Sequence, residues 1–240
     1  MRRLGGGVLL AAAAAMALSG CQRESDEAFG KRVRAYLLEH PEVLQEAYVR
    51  LQDKQEQQRV VAAKQGLQKY RQAIEHDPRD FVANPNGKIT VVEFFDYNCG
   101  YCKAIAPEVL AIVKSEPDVR FVFKDFTIFG EASEYAAAGA DLAKPTGKYM
   151  TIYQQFMAQK PLTDHGVKRI LADNGVDPDA ARKHQQDADE KRYIADVHQL
   201  AVNLGIEGTP AFIVGDTLIP GADPQALGQA IAAAKKQLKS

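Results

Sequence analysis

Two cysteines, Cys99 and Cys102, form a Cys-x-x-Cys pair directly after an apolar segment. That segment, 88–95, is rich in β-branched and aromatic residues, which predicts a central strand covered on both faces. Residues 104–114 have a helical composition, with a kink expected at Pro107. A thiol in the first turn of a helix faces unpaired backbone N–H groups and the positive end of the helix dipole, which lowers its pKa. The spacing therefore predicts a redox-active dithiol in which Cys99 is the nucleophile and Cys102 resolves the mixed disulfide.

Other uses of a Cys-x-x-Cys pair fit this sequence less well. Haem attachment needs a histidine after the second cysteine, and residue 103 is lysine. A tetrahedral zinc site needs a second pair of ligands, but no other cysteine is near and the histidines downstream have no paired spacing. A structural disulfide across two residues would be strained and would close a very small loop. We therefore expect no metal at this site and no cofactor beyond the Cys99–Cys102 disulfide itself.

A carboxylate, Glu93, lies within the apolar strand. A buried carboxylate has either a partner or a raised pKa, and both are frequent at functional sites. Lys124 is the expected partner, since it ends another strand-like segment, 119–124.

Two segments more than 100 residues apart resemble a known family. Residues 93–103 (EFFDYNCGYCK) and 208–214 (GTPAFIV) are similar to the DsbA-like branch of the thioredoxin superfamily, which contains periplasmic thiol-disulfide oxidoreductases. Within that branch, the segment 33–44 resembles the precatalytic helices of ScsC-like proteins. The resemblance implies an α/β thioredoxin fold with an inserted helical domain.

The resemblance also implies roles for individual residues. Cys99 matches the nucleophilic cysteine and Cys102 the resolving one. Pro210 matches a cis-proline that faces the dithiol and orients Thr209, so that backbone groups pair with an extended substrate. Glu93 matches a buried acid that mediates proton transfer to the resolving cysteine.

The catalytic domain is predicted to cover residues 81–240, with its boundary at a cluster of turn residues, 77–78 and 84–87. Its helical insertion should occupy about 131–204. The chain pattern predicts helices at 133–143, 148–159, 163–174 and 178–204, then strands at 211–214 and 217–219 and a last helix at 224–238.

A helical stalk is predicted over residues 21–80. Between 26 and 75 the chain has almost no Gly or Pro, and its apolar residues recur three, four or seven positions apart. Pro41 divides the segment into a short helix ending near His40 and a longer one. A long helix with so narrow an apolar stripe needs a partner. The stalk is either a spacer packed on its own domain or, as we favour, an oligomerisation element that pairs with copies of itself.

The N-terminus predicts export. Residues 1–20 have a basic start and an apolar core typical of a signal peptide, too short to span a bilayer. The sequence Leu-Ser-Gly before Cys21 resembles a lipoprotein lipobox, in which Cys21 is lipidated; a plain signal peptide is the alternative. By the same resemblance, Gln22 implies sorting to the outer membrane. We therefore expect a periplasmic protein held at the membrane by its lipid.

Charge argues against nucleic acid as a partner. The chain has 30 Lys and Arg against 31 Asp and Glu, and removal of two arginines with the signal leaves 28 − 31 = −3. Phosphate binding requires a basic surplus on one face. The partners we expect are exported proteins with cysteines and a membrane redox partner.

The direction of the reaction is a hypothesis at this point. The dipeptide Gly100-Tyr101 matches that of DsbC-like isomerases, and the stalk would supply an oligomer, so isomerase or reductase activity is favoured. The alternatives are a DsbA-type dithiol oxidase and a protein that binds Cu(I) through the two thiols, since ScsC-like proteins are associated with copper tolerance.

Overall fold

The computed structural model describes residues 26–238, which form parts of two compact units, 1–58 and 59–240. The predicted signal peptide and Cys21 lie outside the described residues. Among the described helices, none has the length and apolar character needed to cross a membrane.

The first unit contains helix α1 (Asp26–Glu39) and the start of helix α2 (Glu42–Lys69), with the break near Pro41 that the sequence predicts. No residue of α1 is buried within the described part of the chain. Exposed large apolar side chains recur along both helices within this unit: Phe29, Val33, Tyr36, Leu38, Leu44, Tyr48, Val49 and Leu51.

The end of α2 and the short helix α3 (Arg71–Glu75) belong to the second unit. Leu67 and Ile74 are both buried in its core. The division between the units therefore falls earlier than the predicted domain boundary near residue 80, because these two apolar residues pack on the catalytic domain.

A five-stranded mixed sheet organises the second unit, in the order β1-β3-β2-β4-β5. The central strands β2 (Ile89–Phe95) and β3 (Val119–Asp125) are parallel, and all other neighbours are antiparallel. Strand β4 (Ala211–Val214) pairs with β2, β5 (Thr217–Pro220) lies at one edge, and β1 (Phe81–Ala83) lies at the other. The near-continuous apolar sequence of β2 reflects burial on both faces.

Helix α4 (Gly100–Ser115) follows β2 and continues through Pro107. The inserted region consists of helices. Their ends lie within two residues of the predicted ends, except in the region predicted as a single helix over 178–204. These helices are α5 (Glu131–Ala143), a 3₁₀ turn (Lys144–Thr146), α6 (Tyr149–Ala158), α7 (Asp164–Asp173), α8 (Pro178–Gln185) and α9 (Ala188–Leu204). The last helix of the chain is α10 (Pro224–Gln237).

The predicted single helix over 178–204 is wrong, since it is divided into α8 and α9. Asp187 caps α9, because its side chain accepts a hydrogen bond from the backbone N–H of Asp189 at 2.9 Å. A residue that caps a helix has non-helical backbone angles, so α8 ends before it.

Two buried clusters lie on opposite faces of the sheet. One contains Phe95 and Phe123 and is covered by α4, α10 and the inserted helices α5–α8. The other contains Phe94 and Val122 and is covered by α9 and the end of α2. Burial of a side chain of this size contributes about 1.5–3 kcal/mol relative to its exposure. The dithiol belongs to the first face.

Candidate active site

Cys99 is the N-cap of α4, in the turn that leaves β2. Its Sγ accepts a hydrogen bond from the backbone N–H of Cys102 at 3.3 Å, which is the capping interaction of the helix. The same sulfur is 3.1 Å from the carbonyl oxygen of Thr209, to which the thiol donates. The Cys99 sulfur therefore lies between a backbone donor, the N–H of Cys102, and a backbone acceptor, the carbonyl of Thr209.

The hydrogen bonds that the Cys99 sulfur accepts lower its pKa to about 6. The largest cause is the hydrogen bond from the Cys102 side chain; partial burial opposes it, and the backbone N–H groups of Cys102 and Tyr101 lower the pKa further. At neutral pH Cys99 is therefore mainly a thiolate, the form that attacks disulfides.

Cys102 has the opposite character. Its side chain is fully buried, and burial raises its pKa far above the ordinary value, with further contributions from its hydrogen bond to Cys99 and the charge of Glu93. Both cysteines are free thiols in this structure. The pair therefore contains one reactive thiolate and one thiol that needs a base before it can attack.

The peptide bond between Thr209 and Pro210 is cis, as the resemblance implies. It precedes β4, and the carbonyl of Pro210 accepts a hydrogen bond from the backbone N–H of Gly221 at 2.8 Å. A cavity of about 260 Å³ adjoins this loop, lined in part by Ile206, Leu218 and Pro220. The loop places the Thr209 carbonyl against the Cys99 sulfur.

Glu93 is completely buried on the dithiol face of the sheet. One carboxylate oxygen accepts a hydrogen bond from the Tyr153 hydroxyl at 3.3 Å, and the other has no hydrogen-bond partner among the described residues. Burial raises the pKa of Glu93 to about 8; the Tyr153 contact lowers it, and the charges of Cys99 and Asp125 raise it further. A carboxyl group with this pKa can take up and release a proton near neutral pH.

The family comparison matches residues 90–231 to the DSBA-like thioredoxin domain and residues 27–58 to the copper resistance protein ScsC N-terminal domain. The first match covers more than half of the chain and includes the dithiol, Glu93 and the cis-proline loop. The chain belongs to the DsbA-like thioredoxin family. Its predicted fold class, a thioredoxin fold with a helical insertion and N-terminal helices, is confirmed.

Several solved structures are similar to this DsbA-like chain. BcfH of Salmonella enterica Typhimurium is 30% identical, with 93% of this chain and 99% of that chain covered and a TM-score of 0.74. ScsC of Proteus mirabilis, in a transitional conformation, is 28% identical, with coverage of 87% and 97% and a TM-score of 0.64. A periplasmic thioredoxin-like protein from Salmonella enterica serovar Typhimurium is 32% identical, with coverage of 71% and 96% and a TM-score of 0.62.

Among curated proteins, the Na(+)/H(+) antiporter NhaA 3 of Salinispora tropica is 29% identical over 143 residues. The match covers 58% of this chain and 22% of the antiporter, so the chain spans less than a quarter of that relative's length.

The predicted pairing of Lys124 with Glu93 is wrong. Lys124 lies opposite Phe94 in the β2–β3 register, so its side chain is on the other face of the sheet from Glu93. There its ammonium group forms a buried salt bridge with Asp80 at 2.5 Å. The Tyr193 hydroxyl donates to the second oxygen of the Asp80 carboxylate at 3.0 Å.

Two active-site supports have no assigned role in the sequence analysis. Asp96 is fully buried and accepts four hydrogen bonds, from the backbone of Asn98, Ile128 and Phe129 and from the Ser133 hydroxyl. It ties the turn before Cys99 to the loop after β3. The available signal was a carboxylate directly after an apolar strand.

The second support is Asn98, whose side-chain amide forms two hydrogen bonds with the backbone of Leu162, at 2.9 and 3.0 Å. Lys103 adds a contact from its ammonium group to the carbonyl of Gln159 at 2.5 Å. The loop between α6 and α7 is thereby attached to both ends of the Cys-x-x-Cys turn. These contacts could not be predicted from the sequence, since Asn98 and Lys103 bond to backbone groups about 60 positions away.

Metal ligands can be sought in two places among residues 26–238. The dithiol offers two soft sulfur ligands. On the inserted helices, Asp141, His184 and Glu190 bring three donor atoms within 4.8 Å of one another. Asp141 is already paired with His184 at 2.8 Å and with the Lys144 ammonium at 2.5 Å, so an ion-pair network accounts for this group.

Proposed function

We propose that this protein is a membrane-anchored periplasmic thiol-disulfide isomerase and reductase that acts on the disulfides of exported proteins. One observation carries the proposal: Cys99 has a lowered pKa at the helix start, whereas Cys102, one turn further, is buried with a strongly raised pKa. This difference separates attack on a substrate disulfide from release of the product.

The reaction begins when the Cys99 thiolate attacks one sulfur of a client disulfide. A mixed disulfide forms and the other client sulfur leaves as a thiolate. If a second client thiolate then attacks the mixed disulfide, Cys99 leaves and the client disulfide is rearranged with no net electron transfer. If Cys102 attacks first, its proton passes to the Glu93 carboxylate and two electrons reduce the client. The raised pKa of Cys102 delays the second path, which favours isomerisation.

Self-association through the first unit is part of the proposal. Eight large apolar side chains of the first unit are exposed within the described residues. A run of exposed apolar side chains of this kind is typical of a protein–protein contact surface. Packing of these side chains against copies of the same segment would bury them and bring several dithiols together. The same segment matches the ScsC N-terminal domain.

Location follows from the predicted signal peptide and lipidation of Cys21. The named neighbours, ScsC and a periplasmic thioredoxin-like protein, support the periplasm. An isomerase must be kept reduced, so we include a membrane redox partner as the electron donor. The reaction needs no cofactor beyond the Cys99–Cys102 pair and no nucleic acid.

A second candidate function is Cu(I) binding through Cys99 and Cys102, since two thiolates suit this ion and residues 27–58 match a copper resistance family. Copper titration separates this function from redox chemistry. Loss of high-affinity binding in the Cys99→Ser, Cys102→Ser double variant supports the dithiol as the site, and unchanged affinity excludes it.

The deciding experiment combines refolding of scrambled ribonuclease with measurement of oligomer mass. We expect the reduced mature chain to restore ribonuclease activity as an oligomer, and the Cys99→Ser variant to restore none. A monomer without this activity would contradict the proposal. Rapid oxidation of a reduced dithiol peptide by the disulfide form would instead support a DsbA-type oxidase.

A further inference from the structure

A cleft of about 490 Å³ follows one side of helix α9, and none of the residues assigned to the disulfide chemistry lines it. We refer to it as the α9 cleft. The helix contributes one stripe of side chains at the i, i+3, i+4 spacing of a single helix face: Lys191, Ile194, Ala195, His198, Gln199 and Val202. At the rise of an α-helix this stripe is about 16 Å long, which is the length of about five residues of extended chain.

The other lining residues are polar and come from several parts of the catalytic domain. They are Thr127 in the loop after β3, Glu134 in the first turn of α5, Gln185 at the end of α8 and Glu190 in the first turn of α9. Three of them, Thr127, Gln185 and Glu190, are buried. The α9 cleft therefore combines buried polar side chains with the apolar side chains of Ile194 and Val202.

The two carboxylates of the α9 cleft have only weak partners. Neither forms a salt bridge with a lysine or arginine among the described residues. The Glu134 carboxylate is 3.5 Å from the Gln185 amide, and the Glu190 carboxylate is 3.5 Å from the His184 ring, which is closer to Asp141 at 2.8 Å. Burial raises the pKa of Glu190 and the charge of Asp141 raises it further, so the surrounding cations do not offset its burial.

The remaining polar groups of the α9 cleft add acceptors. The His198 Nε2 atom is 3.1 Å from the Thr127 carbonyl, and since a carbonyl can only accept, Nε2 carries the hydrogen and Nδ1 of the neutral ring is an acceptor. Thr127 is 5% exposed, and its hydroxyl has no hydrogen-bond partner within the described part of the chain. The one cation, Lys191, donates to the Gln186 side chain at 2.7 Å, outside the cleft lining.

This combination of groups suits a lysine or arginine side chain. The apolar stem of such a side chain packs on apolar surface while its charged group stays with polar partners. A guanidinium group also supplies five donors, which match carboxylate acceptors. A bare metal ion would make no use of Ile194 and Val202, and a small amine would fill only part of the length of the cleft. A polypeptide segment with a basic residue uses all of these features.

The α9 cleft is attached to the turn that presents the nucleophile. Thr127 directly precedes Ile128, whose backbone N–H donates to the Asp96 carboxylate at 2.7 Å. The backbone carbonyl of Asp96 in turn accepts a hydrogen bond from the N–H of Cys99 at 3.2 Å. A chain bound in the α9 cleft is therefore held next to the loop that contacts the dithiol turn.

We propose that the α9 cleft binds the client polypeptide, as an extended segment whose arginine or lysine places its cationic group at Glu134 and Glu190. This inference rests on the proposed function and adds the class of client to it. Clients whose cysteines have basic residues a few positions away should react fastest.

The test compares two short peptides that differ in one residue. Each contains a cysteine and, a few positions away, either arginine or citrulline, which has the same shape without the charge. With serine in place of the cysteine, binding to the reduced mature chain is measured by fluorescence anisotropy. We expect the wild-type chain to bind the arginine peptide about fivefold more tightly than the citrulline peptide. This preference should be lost in the Glu134→Gln, Glu190→Gln double variant.

The same preference should appear in the reaction. The two cysteine peptides, each as a mixed disulfide with glutathione, are reduced by the same chains, and the ratio of their rate constants for attack by Cys99 is measured by stopped flow. Asp189→Asn is the matched control, because it removes a carboxylate from the first turn of the same helix but outside the cleft lining. It should keep the preference. Glu134→Gln alone changes an exposed side chain, so it provides the test if the double variant fails to fold, and it should reduce the preference.

Equal binding of the two peptides to the wild-type chain would overturn the proposal, and so would a preference that persists in both glutamine variants. Binding of free arginine amide as tightly as the arginine peptide would assign the cleft to a small cation and would also overturn it. Failure of the proposed function is distinguishable, because the chain would then not refold scrambled ribonuclease, while the serine peptides would still report on the α9 cleft.

Discussion

The carboxylate of Glu93 and the hydroxyl of Tyr153 are 3.3 Å apart within the buried aromatic cluster beside the dithiol. This is a long hydrogen bond for a carboxylate. A single weak donor cannot offset the burial of a charge, so the neutral acid is the favoured form up to a pH of about 8. The fold thus retains an acid that is costly to ionise next to a thiol that needs a base.

The variant Glu93→Gln tests both the cost of ionising the buried Glu93 and its role as a base for Cys102. The pKa of Glu93 is raised on folding, so its contribution to stability is present at low pH and is lost as the pH rises through about 8. The glutamine variant should match wild type near pH 4, and above pH 8 its free energy of unfolding should exceed that of wild type by about 5 kcal/mol. Denaturant unfolding at both pH values measures this. In wild type, attack of Cys102 on the mixed disulfide should become faster between pH 7 and 8 as Glu93 ionises, and in the glutamine variant this increase should be lost. An equal stability difference at both pH values would contradict the buried ionisation.

Cys99 gives the reduced protein the opposite pH dependence. Folding lowers the pKa of Cys99 from about 9 to about 6. The thiolate therefore stabilises the folded state fully above pH 9, and this stabilisation is lost as the pH falls through 6. The thermal midpoint of the reduced form, minus that of the disulfide form, should therefore increase between pH 6 and 9. Thiolate absorbance at 240 nm should give a midpoint near pH 6 in wild type and a higher one in Cys102→Ala, which removes the largest stabilising hydrogen bond. A flat difference between the two redox forms would rule out a stabilised thiolate.

Self-association of the first unit can be tested with charge placed on its apolar side chains. Leu44 and Leu51 are both about half exposed. The Leu44→Glu, Leu51→Glu variant should sediment as a monomer, because carboxylates cannot be buried in an apolar interface without a large cost. It should lose ribonuclease refolding but keep the reduction of glutathione disulfide. The matched control, Gln45→Glu with Gln52→Glu, adds the same charge to the same helix and should remain oligomeric. A monomeric wild-type chain would refute the expectation.

The dithiol and its strand could be predicted because their signals are local. An apolar run followed by Cys-x-x-Cys predicts Cys99 at a helix start, and the structure has it at the N-cap of α4. The break between α8 and α9 also had a local signal, Asp187 followed three positions later by Glu190, which fits a helix N-terminus. The three-residue strand β1 had none, since it is too short to show a period and forms by pairing with β3.

The role of Lys124 could not be read from the sequence, because it depends on register. A shift of one residue in the pairing of β2 and β3 exchanges the faces of every side chain. With Phe94 opposite Lys124, the lysine and Glu93 are separated by the sheet, and the lysine meets Asp80 instead. Asp125, next in sequence, is brought to the Glu93 face by the same register.

Lys124→Met tests this assignment. Both partners of the Lys124–Asp80 salt bridge are almost completely buried, so removal of the ammonium leaves a carboxylate in the core without a countercharge. We expect a loss of about 3–5 kcal/mol in the free energy of unfolding at pH 7. The Asp80→Asn, Lys124→Met double variant should recover a large part of that loss, since the buried charge is gone. In both variants the pKa of Cys99 should stay near 6, because the salt bridge lies across the sheet from the dithiol. A shifted Cys99 titration in the double variant, at unchanged stability, would instead link Lys124 to the active site.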